Sequence, residues 1–222
     1  MKHWLKHNRG FLIFLVCLGL FRTAMADWNP VPTGSMRPTI LEGDVVLVNR
    51  LAYDVKLPLT DITLGHLGDP LRGDIVTFNS PKDGTRLIKR LVAVPGDVVE
   101  MRDDVLILNG QPARYADLKP AVENLGAGIA VPALRATETL AGEQRTVQFL
   151  DRVGAKRSFG PVVVPPDHYY MLGDNRDNSA DSRYIGFVPR SHIIGRTQRI
   201  LVSADITDHW QPRMGRFASA LN

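Results

Sequence analysis

Ser35 and Lys89 are two residues of this 222-residue sequence whose side chains could act together as a nucleophile and a base, whereas no local pattern supports a Ser-His-Asp triad. Lys89 lies in the run RLIKRLVAV, whose composition predicts a β-strand. Period-two alternation places Lys89 on one face with Leu87 and Leu91, and both neighbouring arginines on the other, mixed face. Burial lowers the pKa of a lysine, and a neutral amine is a competent general base. The alternative is a lysine whose ammonium group reaches water past an apolar stem.

Ser35 lies in the stretch VPTGSMRPTI, where a proline on each side restricts the backbone. Gly34 permits a tight turn and leaves the neighbouring amide accessible. The Ser35 amide and the Thr33 hydroxyl could then form an oxyanion hole, a type of donor group that contributes about 3–4 kcal/mol in acyl transfer. A serine hydroxyl needs a positioned base, which Lys89 would supply. The same composition also fits a Pro/Gly/Ser linker.

A third polar cluster is GDNRDNSADSRYIGFVP, residues 173–189. Its apolar flanks, HYYML and IGFVP, indicate a buried turn whose side chains bond to one another. Asp181 and Arg183 could pair, and Ser179 could reach a buried amine. Because such a network is costly unless every group is satisfied, it favours a structural or catalytic role over a neutral one.

Several other chemistries are excluded by the sequence. It contains no G-x-S-x-G motif, no serine with a lysine three residues on and no H-E-x-x-H pair. Its single cysteine, Cys17, lies in the N-terminal apolar segment, so the rest of the chain has no disulfide and no cysteine nucleophile. The formal charge of +4 is spread along the chain, which argues against nucleic acid as a partner.

The elements that must position these residues are predicted to be strands. Beyond residue 40, β-rich runs are separated by Gly, Pro and Asp, and VVEMRDDVLILNG reads as a hairpin that turns at Asp103-Asp104. The fold class is therefore all-β. Residues 112–160 are richer in Ala and Gly and are predicted to be a smaller inserted cap region, with a short helix considered for residues 113–118.

The N-terminus predicts export. A basic stretch, MKHWLKHNRG, precedes the apolar run FLIFLVCLGLF, which is short of the roughly 20 residues that a spanning helix needs. The sequence Ala24-Met25-Ala26 then fits a signal-peptide cleavage site. The alternative is an uncleaved signal anchor over about residues 10–26. Both interpretations place the basic end in the cytoplasm and the remainder across the membrane.

Four blocks, in this order, resemble bacterial type I signal peptidases, the membrane-anchored Ser-Lys endopeptidases: PTGSMRPTI, RGDIVTF, RLIKRLVAVPGD and GDNRDNSADSRYIGFVP. The resemblance covers about residues 28–110 and 160–200. It implies that Ser35 is the nucleophile and Lys89 the general base. Ser179 would orient the Lys89 amine, and Thr33, where many members carry serine, would serve the oxyanion hole.

The resemblance also implies the surroundings of this dyad. Asp181 and Arg183 would form a structural ion pair. The family fold is a folded antiparallel β-sheet body with a smaller insertion, preceded here by one membrane-anchor helix, and neither a cofactor nor a metal is implied. Shallow pockets for small side chains would be lined by Val31, Pro32, Met36, Ile40, Leu87 and Ile88.

Two features depart from the family pattern. There is one short apolar segment where many relatives have two or a longer one, and ADWNP replaces the apolar-aromatic run that usually precedes the serine block. An enzyme that meets its substrates at the bilayer favours a retained anchor, although self-cleavage stays open. The predicted organisation is a cytoplasmic flank (1–9), an anchor (10–26) and an exported peptidase domain (27–222) on the outer face of the inner membrane.

The expected function is removal of signal peptides from exported preproteins after a small-x-small sequence. The expected partners are preproteins and membrane lipid, with the export machinery as a possible further partner. Two alternatives remain: a processing peptidase specialised for pilin-like or conjugation substrates, and an inactive membrane-anchored binding module.

Overall fold

The computed structural model describes residues 4, 7–60, 62–124, 129–206 and 209–221. Helix α1 (Arg9–Ala24) leads into a body of strands, which contains one four-residue helix, α2 (Ser182–Ile185). The strands are β1 (Ala26–Pro30), β2 (Asp44–Asn49), β3 (Asp54–Lys56), β4 (Thr63–His66), β5 (Ile75–Asn79), β6 (Arg86–Ala93), β7 (Val98–Arg102), β8 (Val105–Leu108), β9 (Gln111–Pro112), β10 (Arg114–Asn124), β11 (Ala130–Leu140), β12 (Glu143–Leu150), β13 (Phe159–Val163), β14 (His168–Leu172), β15 (Val188–Pro189), β16 (Ile193–Asp205) and β17 (Gln211–Pro212).

The central sheet has the order β1-β2-β16-β5-β6-β14-β15, with β17 paired to β16. All of these pairs are antiparallel, so the predicted antiparallel β architecture is confirmed. Strand β6 is buried on both faces from Lys89 to its end. Leu91 belongs to the hydrophobic cluster that includes Val76 and Phe78, whereas Val92 and Ala93 belong to the cluster that includes Val99 and Met101.

The hairpin of β7 and β8 turns where the sequence predicted it. Asp103 and Asp104 occupy the turn with φ values of 46° and 68°. Two consecutive left-handed residues match the right-handed twist of the flanking strands, and aspartate tolerates this conformation better than most side chains. The hairpin belongs to a second sheet, of order β13-β7-β8-β9.

Strands β10, β11 and β12 form a separate three-stranded antiparallel sheet, called here the inserted sheet. Its strands are 11, 11 and 8 residues long, and the pairing of β10 with β11 shifts register between Ala116 and Lys119. The helix considered for residues 113–118 is wrong, because Arg114 begins a strand. Tyr115 pairs with Glu138 on β11, donates a hydrogen bond to its carboxylate at 2.8 Å and packs edge-on against Phe149. These contacts with β11 and β12 outweigh a weak local preference.

Helix α1, which begins at Arg9 and ends at Ala24, covers most of the segment predicted to span the membrane, residues 10–26. Within the part of the chain that the structure describes, no helix combines the length and the hydropathy needed to cross a membrane. Strand β1, formed by the unusual ADWNP stretch, follows directly. Arg22 binds Asp27 at 2.7 Å and stacks on the Trp28 ring at 4.5 Å, which ties the end of the helix to the strand.

Candidate active site

Ser35 and Lys89 are in hydrogen-bond contact, although 54 residues separate them in sequence. Lys89 Nζ lies 2.6 Å from Ser35 Oγ and donates to the carbonyl of Ile88 at 3.0 Å. Lys89 projects from the buried half of β6, whereas Ser35 lies in the turn that follows β1 and is half-buried. The structure therefore brings a hydroxyl and an amine together in the geometry that base-assisted nucleophilic attack requires.

The environment of Lys89 favours the neutral amine. Burial lowers its pKa from the ordinary 10.5 to about 8, and the negative charges of Asp181 and Asp174 oppose this shift only in part. The cause is desolvation, because the interior solvates the ammonium ion poorly. A base with a pKa near 8 is substantially neutral at a mildly alkaline pH and still binds a proton well.

A groove of about 250 Å³ opens above this pair. The six residues expected to line the substrate pockets all line it: Val31, Pro32, Met36, Ile40, Leu87 and Ile88. Thr33, Ser35 and Lys89 line it as well. Sequence reasoning missed four further lining residues, Asn29, Pro30, Thr85 and Arg86, the first two from the stretch that departs from the family pattern.

The rim of the groove is polar where β1 meets the start of β6. Arg86 Nη1 lies 3.2 Å from both Asp27 Oδ2 and Asn29 Oδ1. The alternation within ADWNP could have indicated this, since it places Asp27 and Asn29 on one face of the strand.

The polar loop of residues 173–189 holds the serine segment in place. Asn175 Nδ2 donates to the Gly34 carbonyl at 3.0 Å, and Asn175 N donates to the Ser35 carbonyl at 3.2 Å. Gly173 must be glycine for this approach, because a Cβ there would overlap Ser179 Oγ and lie 2.5 Å from the Ser35 carbonyl oxygen.

A buried ion pair that sequence reasoning missed connects β6 to the same loop. Arg90 Nε and Nη2 donate to the two carboxylate oxygens of Asp174 at 2.9 and 2.8 Å. Asp174 also accepts a 2.5 Å hydrogen bond from the Thr39 hydroxyl, just past the serine. The sequence expectation that both arginines of β6 lie on a mixed face holds for exposed Arg86, while Arg90 is buried. Two features of the sequence could have indicated this ion pair: the arginine next to the candidate base, and the aspartate in the polar loop.

Asp181 and Arg183 form the ion pair expected from the sequence. Arg183 donates to both carboxylate oxygens at 2.8 Å, and both side chains are fully buried. Asp181 also accepts from the backbone amides of Gly173 and Arg183, which fixes the loop and caps α2.

Ser179 lies beside the dyad but does not make the hydrogen bond expected of it. Its hydroxyl is buried against Gly173 and has no hydrogen-bond partner among the described residues. The expected bond from Ser179 to the Lys89 amine is thus not formed in this structure.

The geometry can be compared with known proteins. Residues 1–202 match the family model described as signal peptidase, peptidase S26. The chain belongs to the signal peptidase family, peptidase S26. It is therefore a serine peptidase, a hydrolase whose family cleaves signal peptides.

Individual relatives give the same family. Signal peptidase I of Pseudomonas fluorescens is 34% identical over 210 residues, which cover 89% of this chain and 72% of that protein. Signal peptidase I of Pseudomonas aeruginosa is 31% identical, and the alignment covers 89% of this chain and 72% of that protein. Signal peptidase I of Rickettsia massiliae is 34% identical over 223 residues, which cover 91% of this chain and 81% of that protein. Each alignment spans most of the peptidase body.

Proposed function

We propose that this chain is a membrane-associated endopeptidase that removes signal peptides from exported preproteins after a small-x-small sequence, using Ser35 and Lys89 as its dyad. The observation that carries the proposal is the 2.6 Å contact between the Lys89 amine and the Ser35 hydroxyl at the groove.

In the acylation step, Ser35 Oγ attacks the scissile carbonyl carbon while neutral Lys89 Nζ accepts the hydroxyl proton. The C–N bond then breaks, and Lys89 gives that proton to the leaving amine. The products are an ester on Ser35 and a neutral lysine. Water attacks the ester next, with Lys89 taking a proton from the water and passing it to Ser35 Oγ as the acyl group leaves.

The oxyanion that forms during both steps needs donors, and the proposal assigns this role to the Ser35 amide and the Thr33 hydroxyl. Thr33 lines the groove and is exposed there, so its hydroxyl is accessible to a bound substrate. Such donors stabilise the transition state most when they are already oriented before charge develops.

The groove supports an extended substrate with small side chains. Its walls come from the residues around the end of β1 and the start of β6, and Val31, Met36 and Ile88 make it apolar. Because β1 is the edge strand of the central sheet, a peptide could pair with it as an added strand. A volume of about 250 Å³ leaves little space for large side chains beside the backbone.

Membrane association is part of the proposal and is supported by the surface of α1. None of the described side chains of this helix is buried. Eight of its apolar side chains are exposed: Phe11, Ile13, Phe14, Leu15, Val16, Leu18, Leu20 and Phe21. We expect the full chain to remain with carbonate-washed inner membranes, with the peptidase body on the outer face; recovery in the wash would contradict this part.

The test of the function is a processing assay with purified preproteins. Wild-type protein, in detergent with lipid, is expected to release the mature protein with a new N-terminus after a small-x-small sequence. Ser35→Ala is expected to abolish release while its circular dichroism spectrum stays unchanged. Cleavage of ordinary preproteins by Ser35→Ala, or no cleavage by the wild type, would reject the assignment.

A further inference from the structure

The serine segment is tied to the inserted sheet by Arg37, two residues after Ser35. Arg37 Nε lies 2.6 Å from Glu42 Oε2 and 3.2 Å from Glu123 Oε1, and Arg37 Nη1 lies 3.2 Å from Glu123 Oε2. Glu123 is on β10, and its side chain is only 1% exposed. A carboxylate buried to this extent depends on a charged partner, and Arg37 supplies that charge.

The inserted sheet also reaches the polar loop, through Gln148 on β12. The Gln148 side chain donates to Glu123 Oε2 at 3.0 Å. Its backbone amide donates to the Asp174 carbonyl, and its carbonyl accepts from the Arg176 amide, both at 2.8 Å. Strand β12 thus makes a parallel bridge with the loop at Asn175.

Asn175 closes this set of contacts into a ring. Its neighbours in sequence, Asp174 and Arg176, are the two residues that bind the backbone of Gln148. Asn175 itself donates to the carbonyls of Gly34 and Ser35. From Ser35, the ring therefore runs through Arg37, Glu123, Gln148 and Asn175 and returns to Ser35. The side chains of Arg37 and Glu42 also confine the turn directly, since a Cβ on Gly34 would lie 2.6 Å from Glu42 Oε1.

This ring restrains the nucleophile from both sides. The hydrogen bonds and ion pairs of the ring hold the segments that they join at fixed distances from one another, and within the described residues only Asn175 Oδ1, among the ring's side-chain atoms, is buried without a hydrogen-bond partner. A displacement of about 1 Å in a reacting group can lower the rate about 100-fold. The inserted sheet, which carries two members of the ring, is thus connected to the position of Ser35 although it contributes no residue to the groove lining.

We infer that the inserted sheet positions the nucleophile, and that Glu123 and Arg37 are positioning residues for the peptidase reaction. Glu123, held by Gln148, fixes Arg37 and with it the turn that presents Ser35 to Lys89. The inference rests on the proposed Ser35–Lys89 dyad and assigns a role to a part of the chain that the dyad does not itself explain.

The test is the substitution Glu123→Gln, which keeps the shape of the side chain and removes its charge. We expect kcat for preprotein cleavage to fall about 10–100-fold, because the serine turn is no longer fixed. KM is expected to stay within about threefold of the wild-type value, since the groove residues are unchanged. The apparent pKa in the pH profile of kcat/KM should also stay unchanged, because the effect is geometric.

Asp54→Asn is the matched control. Asp54 is buried to a similar extent and pairs with Arg190 at 3.0 Å, and both residues line a different pocket. This variant is expected to lose stability but keep its kcat within about twofold of the wild-type value. A kcat for Glu123→Gln within twofold of wild type would overturn the inference, as would an equal loss of kcat in the control.

Arg37→Lys keeps the inference testable if Glu123→Gln does not fold. It retains the positive charge but cannot contact Glu42 and Glu123 at once with a planar fork, so kcat is again expected to fall. Full activity of Arg37→Lys would overturn the inference. An inactive wild type, or an active Ser35→Ala, would instead reject the dyad on which it rests.

Discussion

The Lys89 amine is buried within the sheet, where its ammonium form lacks the solvation that water gives. The pKa is lower in the folded state, about 8, than the ordinary 10.5 of an unfolded chain. Between these values the unfolded chain binds more protons than the folded one, so stability rises with pH across that window. Below about pH 8 the full cost of burying the charge is present, of the order of 3 kcal/mol.

Lys89→Met should therefore inactivate the protein and yet stabilise it at pH 7. The variant removes a buried charge and keeps a side chain of similar length. Urea unfolding at several pH values would measure this: the difference from wild type should be largest below about pH 8 and should shrink toward pH 10.5. A variant that is less stable than wild type at pH 7 would contradict this account of Lys89.

Thr33 allows a second test at the level of single residues. Thr33→Val removes the proposed oxyanion donor and keeps the shape of the side chain. Loss of one such donor lowers kcat about 100- to 1000-fold, with a small effect on KM. Thr33→Ser should restore most of the activity, and an unchanged kcat in Thr33→Val would remove this residue from the mechanism.

Among the elements, strand β6 carries the candidate base on one face and, on the other, the arginine that binds the polar loop. Lys89 faces the serine turn, while Arg90 binds Asp174 in a pair whose side chains are 3% and 2% exposed. Neighbouring residues of one strand thus fix both segments that meet at the site.

Breaking the Arg90–Asp174 pair should be costly. Arg90→Met leaves the Asp174 charge buried without its ion-pair partner, which destabilises a protein by about 3–5 kcal/mol. The double variant Arg90→Met/Asp174→Asn should lose clearly less than the sum of the two single losses. Denaturant unfolding of the wild type, the two single variants and the double variant measures this coupling energy. If the loss of stability in the double variant equals the sum of the two single losses, the ion pair contributes nothing.

Strand prediction from the sequence succeeded where the pattern is local. The run IIGRTQRILVSAD coincides with β16, and the Asp103-Asp104 turn closes β7 and β8. The helix considered for residues 113–118 failed, because Tyr115 is fixed by partners on β11 and β12. The groove lining was predicted through the family resemblance, whereas the Arg90–Asp174 pair, 84 residues apart, depends on how distant segments meet.

At the scale of the whole molecule, the C-terminal tail packs back on the serine segment. In the structure, Arg216 donates to the Thr39 carbonyl at 2.9 Å and to Asp44 Oδ2 at 2.6 Å, and Arg213 donates to the Glu42 carbonyl at 2.8 Å. The tail therefore helps to hold the turn that follows Ser35.

Arg216→Met should destabilise the protein by about 2 kcal/mol, because the carboxylate of Asp44 is fully buried and loses a charged donor. Arg199→Met is the control, since exposed Arg199 donates to the Ala218 carbonyl in the same tail. It should change the stability by less than about 0.5 kcal/mol. Equal effects of the two substitutions on the urea midpoint would contradict a specific role for Arg216.

The pH dependence of kcat/KM for preprotein cleavage tests the Ser35–Lys89 dyad most directly. Because Lys89 must be neutral to accept the Ser35 proton, kcat/KM should rise about tenfold per pH unit below the pKa of Lys89 and level off above it. The midpoint is expected at about 8. A rate that does not change between about pH 6 and pH 9, or cleavage by Lys89→Met at the wild-type rate, would contradict the dyad.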